Sequence, residues 1–256
     1  MKLFFQEYGS GPALVILHGL LGTLDNWHTL SRRFASSYRV LAADLRNHGR
    51  SPHSDHLSYN EMAEDVLELL DDQHVSTSFV LGHSMGGKVA MTLALQHPDR
   101  VGKLIVVDIA PRSYKPLHDE LVHALMSVDL SRYTSRQDID ETLSQSIPDR
   151  AVRQFLMKNL ARDPSGSFIW KANLSTIARR DAEISVDITA DTPFPKPTLF
   201  VRGNRSDYIT ETDTPLIHRM FPSARIETIE AGHWVHAEAP AQFAEVVERF
   251  LSGSVQ

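Results

Sequence analysis

The chain predicts an α/β fold in which a mostly parallel central sheet carries helices on both faces and is interrupted by a helical insertion. Three observations point there. Short apolar runs alternate with helix-period segments through the first hundred residues and again after residue 198. The runs are continuously apolar rather than alternating, as strands covered on both faces require. From about residue 113 to residue 195 no strong strand is visible.

Taken in order, residues 3–5 and 13–17 read as strands, 26–35 as a helix and 40–43 as a third strand. Ser58-Tyr-Asn-Glu61 then forms a capping box, in which the serine hydroxyl accepts from a backbone N–H three residues on and the glutamate reaches back. Met62, Ala63, Val66, Leu69 and Leu70 follow at helical spacing and give that helix one apolar face. Residues 79–81 read as a strand, 86–96 as a helix and 104–107 as a strand. In the insertion, 121–128, 139–147 and 151–161 look helical, and Val152, Phe155, Leu156 and Leu160 stripe the last of these. Strands resume at 198–201 and 225–229. The final helix starts near Pro240, a favourable first-turn residue, with Phe243, Val246, Val247, Phe250 and Leu251 on its inner face. The expected organisation is therefore a core domain built from 1–111 and 196–256, and a helical lid or cap from 112–195.

Composition narrows the function. The 256 residues carry 26 Lys+Arg against 32 Asp+Glu, a formal charge of −6, and no cysteine. Disulfides, cysteine-ligated zinc or iron–sulfur centres and a cysteine nucleophile are excluded. Mild acidity without a basic patch argues against nucleic acid as a partner. The apolar runs fall far short of the roughly 20 residues of a spanning helix. Gln6 and Glu7 end the N-terminal apolar stretch too early for a signal peptide, so a cytoplasmic address is expected. His53/His56 and His118/His123 are the closest histidine pairs; neither has a convincing third ligand, and no phosphate-loop motif is present. No metal and no cofactor are expected, and the chain is expected to be a monomer or small homo-oligomer.

Gly82-His-Ser-Met-Gly86 is a G-x-S-x-G motif that ends a strand and opens a helix. That context puts Ser84 on a sharp turn with its hydroxyl projecting, while the flanking glycines let neighbouring elements pack close. Such a serine needs a base, and the base needs an orienting acid. His233, in Ala231-Gly-His-Trp234 between the last strand and last helix, is the expected base, with the nearby His236 read as a structural hydrogen-bonding residue. Two acids compete. Asp108 ends its strand cleanly. Asp207 lies in Gly203-Asn-Arg-Ser-Asp207, one residue beyond the usual G-x-x-D position, which Ser206 occupies. Asp108 is preferred and Asp207 is the alternative. The backbone N–H groups of Met85 and of Leu20, in His18-Gly-Leu-Leu-Gly22, are the expected oxyanion donors. His18 and the loop from Asp44 to Ser51 are read as bracing. Trp170, Phe155, Leu156 and Met157 are candidates for an acyl pocket, against the plainer reading that they form the core of the insertion.

HGLLGTLDNW at 18–27, DLRNHGRS at 44–51, GHSMGGK at 82–88, VVDIAP at 106–111 and AGHWVHAE at 231–238 together resemble the α/β-hydrolase superfamily and, within it, the small YbfF-type bacterial esterases. The resemblance implies the α/β-hydrolase fold and a serine carboxylesterase acting on short- to medium-chain acyl esters, or acyl thioesters. It implies Ser84 as nucleophile and His233 as base, favours Asp108 as acid, and makes the insertion a lid over the acyl pocket. A C–C bond hydrolase or perhydrolase would keep the same three residues, and a non-catalytic ligand receptor could keep the fold.

Overall fold

The computed structural model describes residues 1–115 and 119–253. Seven strands form the central sheet: β1 (Phe5–Tyr8), β2 (Ala13–Leu17), β3 (Arg39–Ala43), β4 (Ser78–His83), β5 (Val101–Val107), β8 (Thr198–Gly203) and β9 (Ala224–Ile229). Their spatial order is β1-β3-β2-β4-β5-β8-β9; β1 runs antiparallel to β3, and every other pairing is parallel. The first strand starts two residues later than the apolar run suggests, because the Phe4 amide donates to Ser51 Oγ (2.8 Å) instead of joining the ladder.

Alternate residues of the strands feed two cores, as the two-residue side-chain period demands. Leu14, Ile16, Leu81, Ile105, Leu199 and Val201 face α1 (His28–Phe34) and α11 (Pro240–Ser252). Val15, Leu17, Val80, Leu104, Val106 and Phe200 face α2 (Tyr59–Asp72), α3 (Met85–Gln96) and α9 (Thr214–Met220). Ser58 caps α2 by accepting from the Glu61 amide (3.3 Å), and its hydroxyl donates to the Glu61 carboxylate (2.8 Å). The four-residue α10 (Val235–Glu238) precedes α11.

Between β5 and β8 the chain forms α4 (Asp119–Met126), α5 (Arg136–Ser144), α6 (Arg150–Leu156), α7 (Leu174–Arg179) and α8 (Asp181–Ile184). It also forms a hairpin that the apolar pattern does not announce: β6 (Leu160–Arg162) pairs antiparallel with β7 (Phe168–Trp170). The helix expected over 151–161 therefore ends at Leu156. Asn159 is buried and its amide donates to the Leu21 carbonyl, which turns the chain off the helix axis. Asp163-Pro-Ser-Gly166 then supplies turn chemistry, with the Asp163 carboxylate accepting from the Ser165 and Ser167 amides (both 2.9 Å) and Gly166 at φ 87°.

Candidate active site

Ser84 sits where β4 hands over to α3, with φ 51° and ψ −119°. This is a left-handed conformation that costs a non-glycine residue of order 1–3 kcal/mol. Glycine makes the turn sterically accessible. A Cβ on Gly82 would stand 2.1 Å from the Gly86 carbonyl oxygen, and one on Gly86 would stand 2.6 Å from that of Leu17 at the end of β2. The Ser84 amide donates to the Val107 carbonyl (2.9 Å), which locks the turn to β5.

Asp108 follows β5 directly, also at positive φ (51°), and is fully buried. Its carboxylate accepts from the Gly203 amide (2.9 Å) through Oδ1, and from Ser206 Oγ and His233 Nδ1 (2.8 Å) through Oδ2. The carboxylate thus fixes the imidazole with its proton on Nδ1, leaving Nε2 free to accept. Asp207 does not take part. It is exposed, and its backbone carbonyl accepts from Arg112 (3.2 Å). Ser206, at the Gly203-plus-three position, faces the carboxylate instead.

The His233 loop, between β9 and α10, is held from three sides. His83 donates from Nε2 to the His233 carbonyl (2.9 Å), and the Tyr208 ring stacks on the imidazole with centroids 3.9 Å apart and planes at 22°. Asp108 closes the third side. Burial keeps His83 neutral, with its pKa far below that of a free histidine. His236 is buried too, but by stacking: its ring lies 4.2 Å from Trp27 at 8°, and its Nδ1 finds no hydrogen-bond partner. The hydrogen-bonding role expected for it is therefore corrected to packing.

Ser84 and His233 line one cavity of about 160 Å³, together with Leu20, Leu21, Leu121, Phe155, Leu156 and Trp234. A second, smaller space that Ser84 also lines is bounded by Leu20, Met85, Ile109 and Tyr59. Leu20 lines both spaces with Ser84, and as the first residue of α3, Met85 has an N–H with no intrahelical acceptor. Of the expected pocket residues, Phe155 and Leu156 line the cavity. Trp170 does not: it belongs to β7 and its indole N–H donates to the Leu125 carbonyl (3.2 Å). Met157 faces a neighbouring groove.

Bracing falls to the loops. His18 donates from Nδ1 to the Gly19 carbonyl (2.8 Å) and accepts from the Leu45 amide at Nε2 (3.0 Å); burial lowers its pKa to about 4. The Asp44 carboxylate accepts from the amides of Leu24 (2.7 Å) and Arg50 (2.8 Å). Asn47 in the same loop reaches the insertion, its carbonyl accepting from the Asn173 amide (2.9 Å). Among the described residues no cluster of three or more metal-ligating side chains could hold an ion. His118 of the pair His118/His123 lies outside them. No helix among the described residues is long and apolar enough to cross a membrane.

Tyr208, Ser206, His83 and Trp234 are the site residues that motif reading did not single out. The displaced acid in Gly203-Asn-Arg-Ser206 was the one available signal, since it places a hydroxyl where a carboxylate is usual.

Comparison with known proteins agrees with this architecture. The family model for the alpha/beta hydrolase fold matches residues 12–240. The sn-1-specific diacylglycerol lipase ABHD11 of Danio rerio is 39% identical over 257 residues, covering 96% of this chain and 80% of its own. The esterase YbfF of Escherichia coli (strain K12) is 34% identical over 249 residues, covering 96% of each chain. A solved marine microorganism esterase superposes with a TM-score of 0.96 at 43% identity, covering 98% of this chain and 99% of that one. By sequence and by architecture, the chain belongs to the α/β-hydrolase family.

Proposed function

We propose that the protein is a serine carboxylesterase that cleaves short- to medium-chain acyl esters through an acyl-enzyme. The single observation that carries this is the His233–Asp108 hydrogen bond (2.8 Å) beside a serine on a strained strand-to-helix turn in the same cavity. In the proposed cycle Ser84 attacks the ester carbonyl and His233 takes its proton at Nε2. Asp108 holds the imidazole and stabilises the cation that forms. The amides of Leu20 and Met85 bind the oxyanion, a contribution worth about 10²–10³ in turnover per donor. His233 returns the proton to the leaving alcohol, and water releases the acyl group by the same route. Segment 112–195 acts as a cap, with Leu121, Phe155 and Leu156 covering the acyl chain. The esterase and lipase names of the relatives agree with this reading.

A fluorophosphonate probe and a panel of p-nitrophenyl esters test it. The expected result is labelling of the wild type, none of Ser84→Ala, and turnover that falls by about 10³-fold or more in that variant. A folded wild type that neither labels nor turns over any ester would overturn it.

A further inference from the structure

The hydrogen bonds at His233 leave the plane of its ring unset. Asp108 holds one ring atom, Nδ1 (2.8 Å), and His83 holds the backbone carbonyl (2.9 Å). The imidazole can still rock about the first of these bonds. Rocking moves Nε2, the atom that meets the serine proton in the proposed cycle, and misplacement by about 1 Å can cost about 10²-fold in rate. Among the described residues, three rings contact the imidazole. Trp234 meets it edge-on (5.7 Å, 67°) and His83 at a tilt (4.7 Å, 44°). Tyr208 alone lies nearly parallel, at 3.9 Å and 22°. A face laid on a face resists rocking, which the other two contacts do not.

Tyr208 is itself clamped. Its carbonyl accepts from the Tyr114 hydroxyl (2.5 Å), and its amide donates to Ser206 Oγ (3.3 Å). The same Tyr114 hydroxyl accepts from the amide of Ala110 (2.8 Å), two residues after Asp108, and the Tyr114 ring lies 5.3 Å from that of Tyr208. Contacts therefore run in a closed circuit from Asp108 through Ala110, Tyr114 and Tyr208 to His233 and back. Burial and the Asp108 charge raise the pKa of the Tyr208 phenol, so it stays protonated and offers the imidazole a neutral ring face rather than a competing base.

That face has an electrostatic use. The negative face of an aromatic ring attracts a cation within about 6 Å of its centroid. In the proposed cycle His233 becomes a cation twice, when it takes the proton of Ser84 and when it takes that of water. A contact that strengthens as charge develops lowers the barrier rather than tightening the ground state.

Building on the esterase reading, we propose that Tyr208 is a positioning residue that acts through His233: its ring face sets the plane of the imidazole and stabilises the cation that forms there. The aromatic face carries this role, and the hydroxyl does not.

The test compares full-length wild type, Tyr208→Leu and Tyr208→Phe on p-nitrophenyl butyrate across pH, with fluorophosphonate labelling of each. Tyr208→Leu keeps an apolar cover and removes the face. Its kcat is expected to fall by about tenfold, the scale of a desolvated cation–π contact, with KM within about twofold. Its acid limb of kcat/KM is expected to move down by about half a pH unit or more, because the cation has lost a stabilising neighbour. Asp108, His83 and His236 also face or neighbour the imidazole; burial keeps both histidines neutral, and neither variant alters any of the three. Tyr208→Phe is expected to restore kcat to within about threefold of the wild type and to return the acid limb to its place. Tyr208→Met stands in if Tyr208→Leu does not fold, with the same expected outcomes. A Tyr208→Phe variant as slow as Tyr208→Leu overturns the inference, as does a loss confined to KM, a loss of kcat with the acid limb unmoved, or no loss at all. A wild type that neither labels nor turns over the ester overturns the esterase reading itself, which separates the two failures.

Discussion

At the residue scale the decisive contrast is between two aspartates that the sequence offers almost equally. Asp108 and Asp207 each follow a strand near the carboxyl edge of the sheet. Only Asp108 is buried against the imidazole, and its three donors satisfy a charge that would otherwise be costly to desolvate. Ser206 replaces the expected acid and turns it into a donor. In the proposed mechanism, Asp108→Asn offers an amide that cannot hold the same tautomer, so kcat is expected to fall by about 10³–10⁴-fold. Asp207→Asn alters an exposed side chain and is expected to leave kcat/KM within about twofold, as surface changes do. Steady-state kinetics of the two variants on one p-nitrophenyl ester decides: a collapse confined to Asp207→Asn would transfer the role to that residue. Ser206→Ala removes one hydrogen bond to a charged acceptor, a class worth about 1.5–3 kcal/mol, so a loss of about tenfold or more in kcat with little change in KM is expected from the same assay.

At the scale of elements, the sheet and its helices were legible because their signals are local. Parallel strands covered on both faces appear as unbroken apolar runs, and a capping serine marks a helix start. The β6–β7 hairpin was illegible for the opposite reason. Val152, Phe155, Leu156 and Leu160 keep a helical stripe, and the contacts at its end are distant in sequence: the buried Asn159 donates to the Leu21 carbonyl, 138 residues earlier, and its own carbonyl accepts from the Lys171 amide (2.8 Å). The way the insertion is fastened was also unreadable. Its two ends pair with each other, Tyr114 N to Ser185 O (2.8 Å) and Ile188 N to Pro111 O (2.7 Å). Lys88, one turn after Ser84 on α3, is buried and donates from Nζ to the carbonyls of both Arg112 (2.8 Å) and Val186. Its ammonium also lies over the rings of Tyr59 (5.4 Å) and Tyr114 (5.0 Å). Burial draws its pKa down to about 8 against the opposing pull of Asp187, so it remains mostly charged at pH 7. Lys88→Met keeps the aliphatic stem and removes the donors. The expected outcome is local: amide exchange at Tyr114 and Ile188 accelerates by about tenfold or more, as loss of roughly 1.4 kcal/mol of protection requires. The β4 and β5 amides should be unaffected. Unchanged exchange at those two amides would show that Lys88 is not the clasp.

For the whole molecule, residues far apart in sequence converge because β4, β5, β8 and β9 end at one edge of the sheet. Ser84 and His233 were readable from motifs in their own neighbourhoods. Tyr208 against His233 and Phe155 against Trp234 were not, since each contact exists only after the sheet and insertion are assembled. The same assembly buries histidines that a short motif shows only as ring-bearing letters, and this sets a pH limit on the fold. Burial lowers His18 to about 4, and His48 and His236 to about 3. Unfolded, each titrates near 6.5. Between those values the unfolded chain binds a proton that the folded chain refuses, so stability rises with pH and is lost on acidification below about 6.5. By pH 5 each histidine accounts for about 2 kcal/mol, at about 1.4 kcal/mol per pH unit. Even one such contribution is a sizeable fraction of the 5–15 kcal/mol total stability of an ordinary domain. The urea midpoint is therefore expected to fall steeply from pH 7 to pH 5, before most carboxylates protonate. His236→Phe keeps an aromatic ring against Trp27 and removes one titrating site whose Nδ1 makes no hydrogen bond. The variant should lose about 2 kcal/mol less than the wild type over that interval. Parallel stability–pH curves for the two proteins would show that His236 does not govern the acid limit.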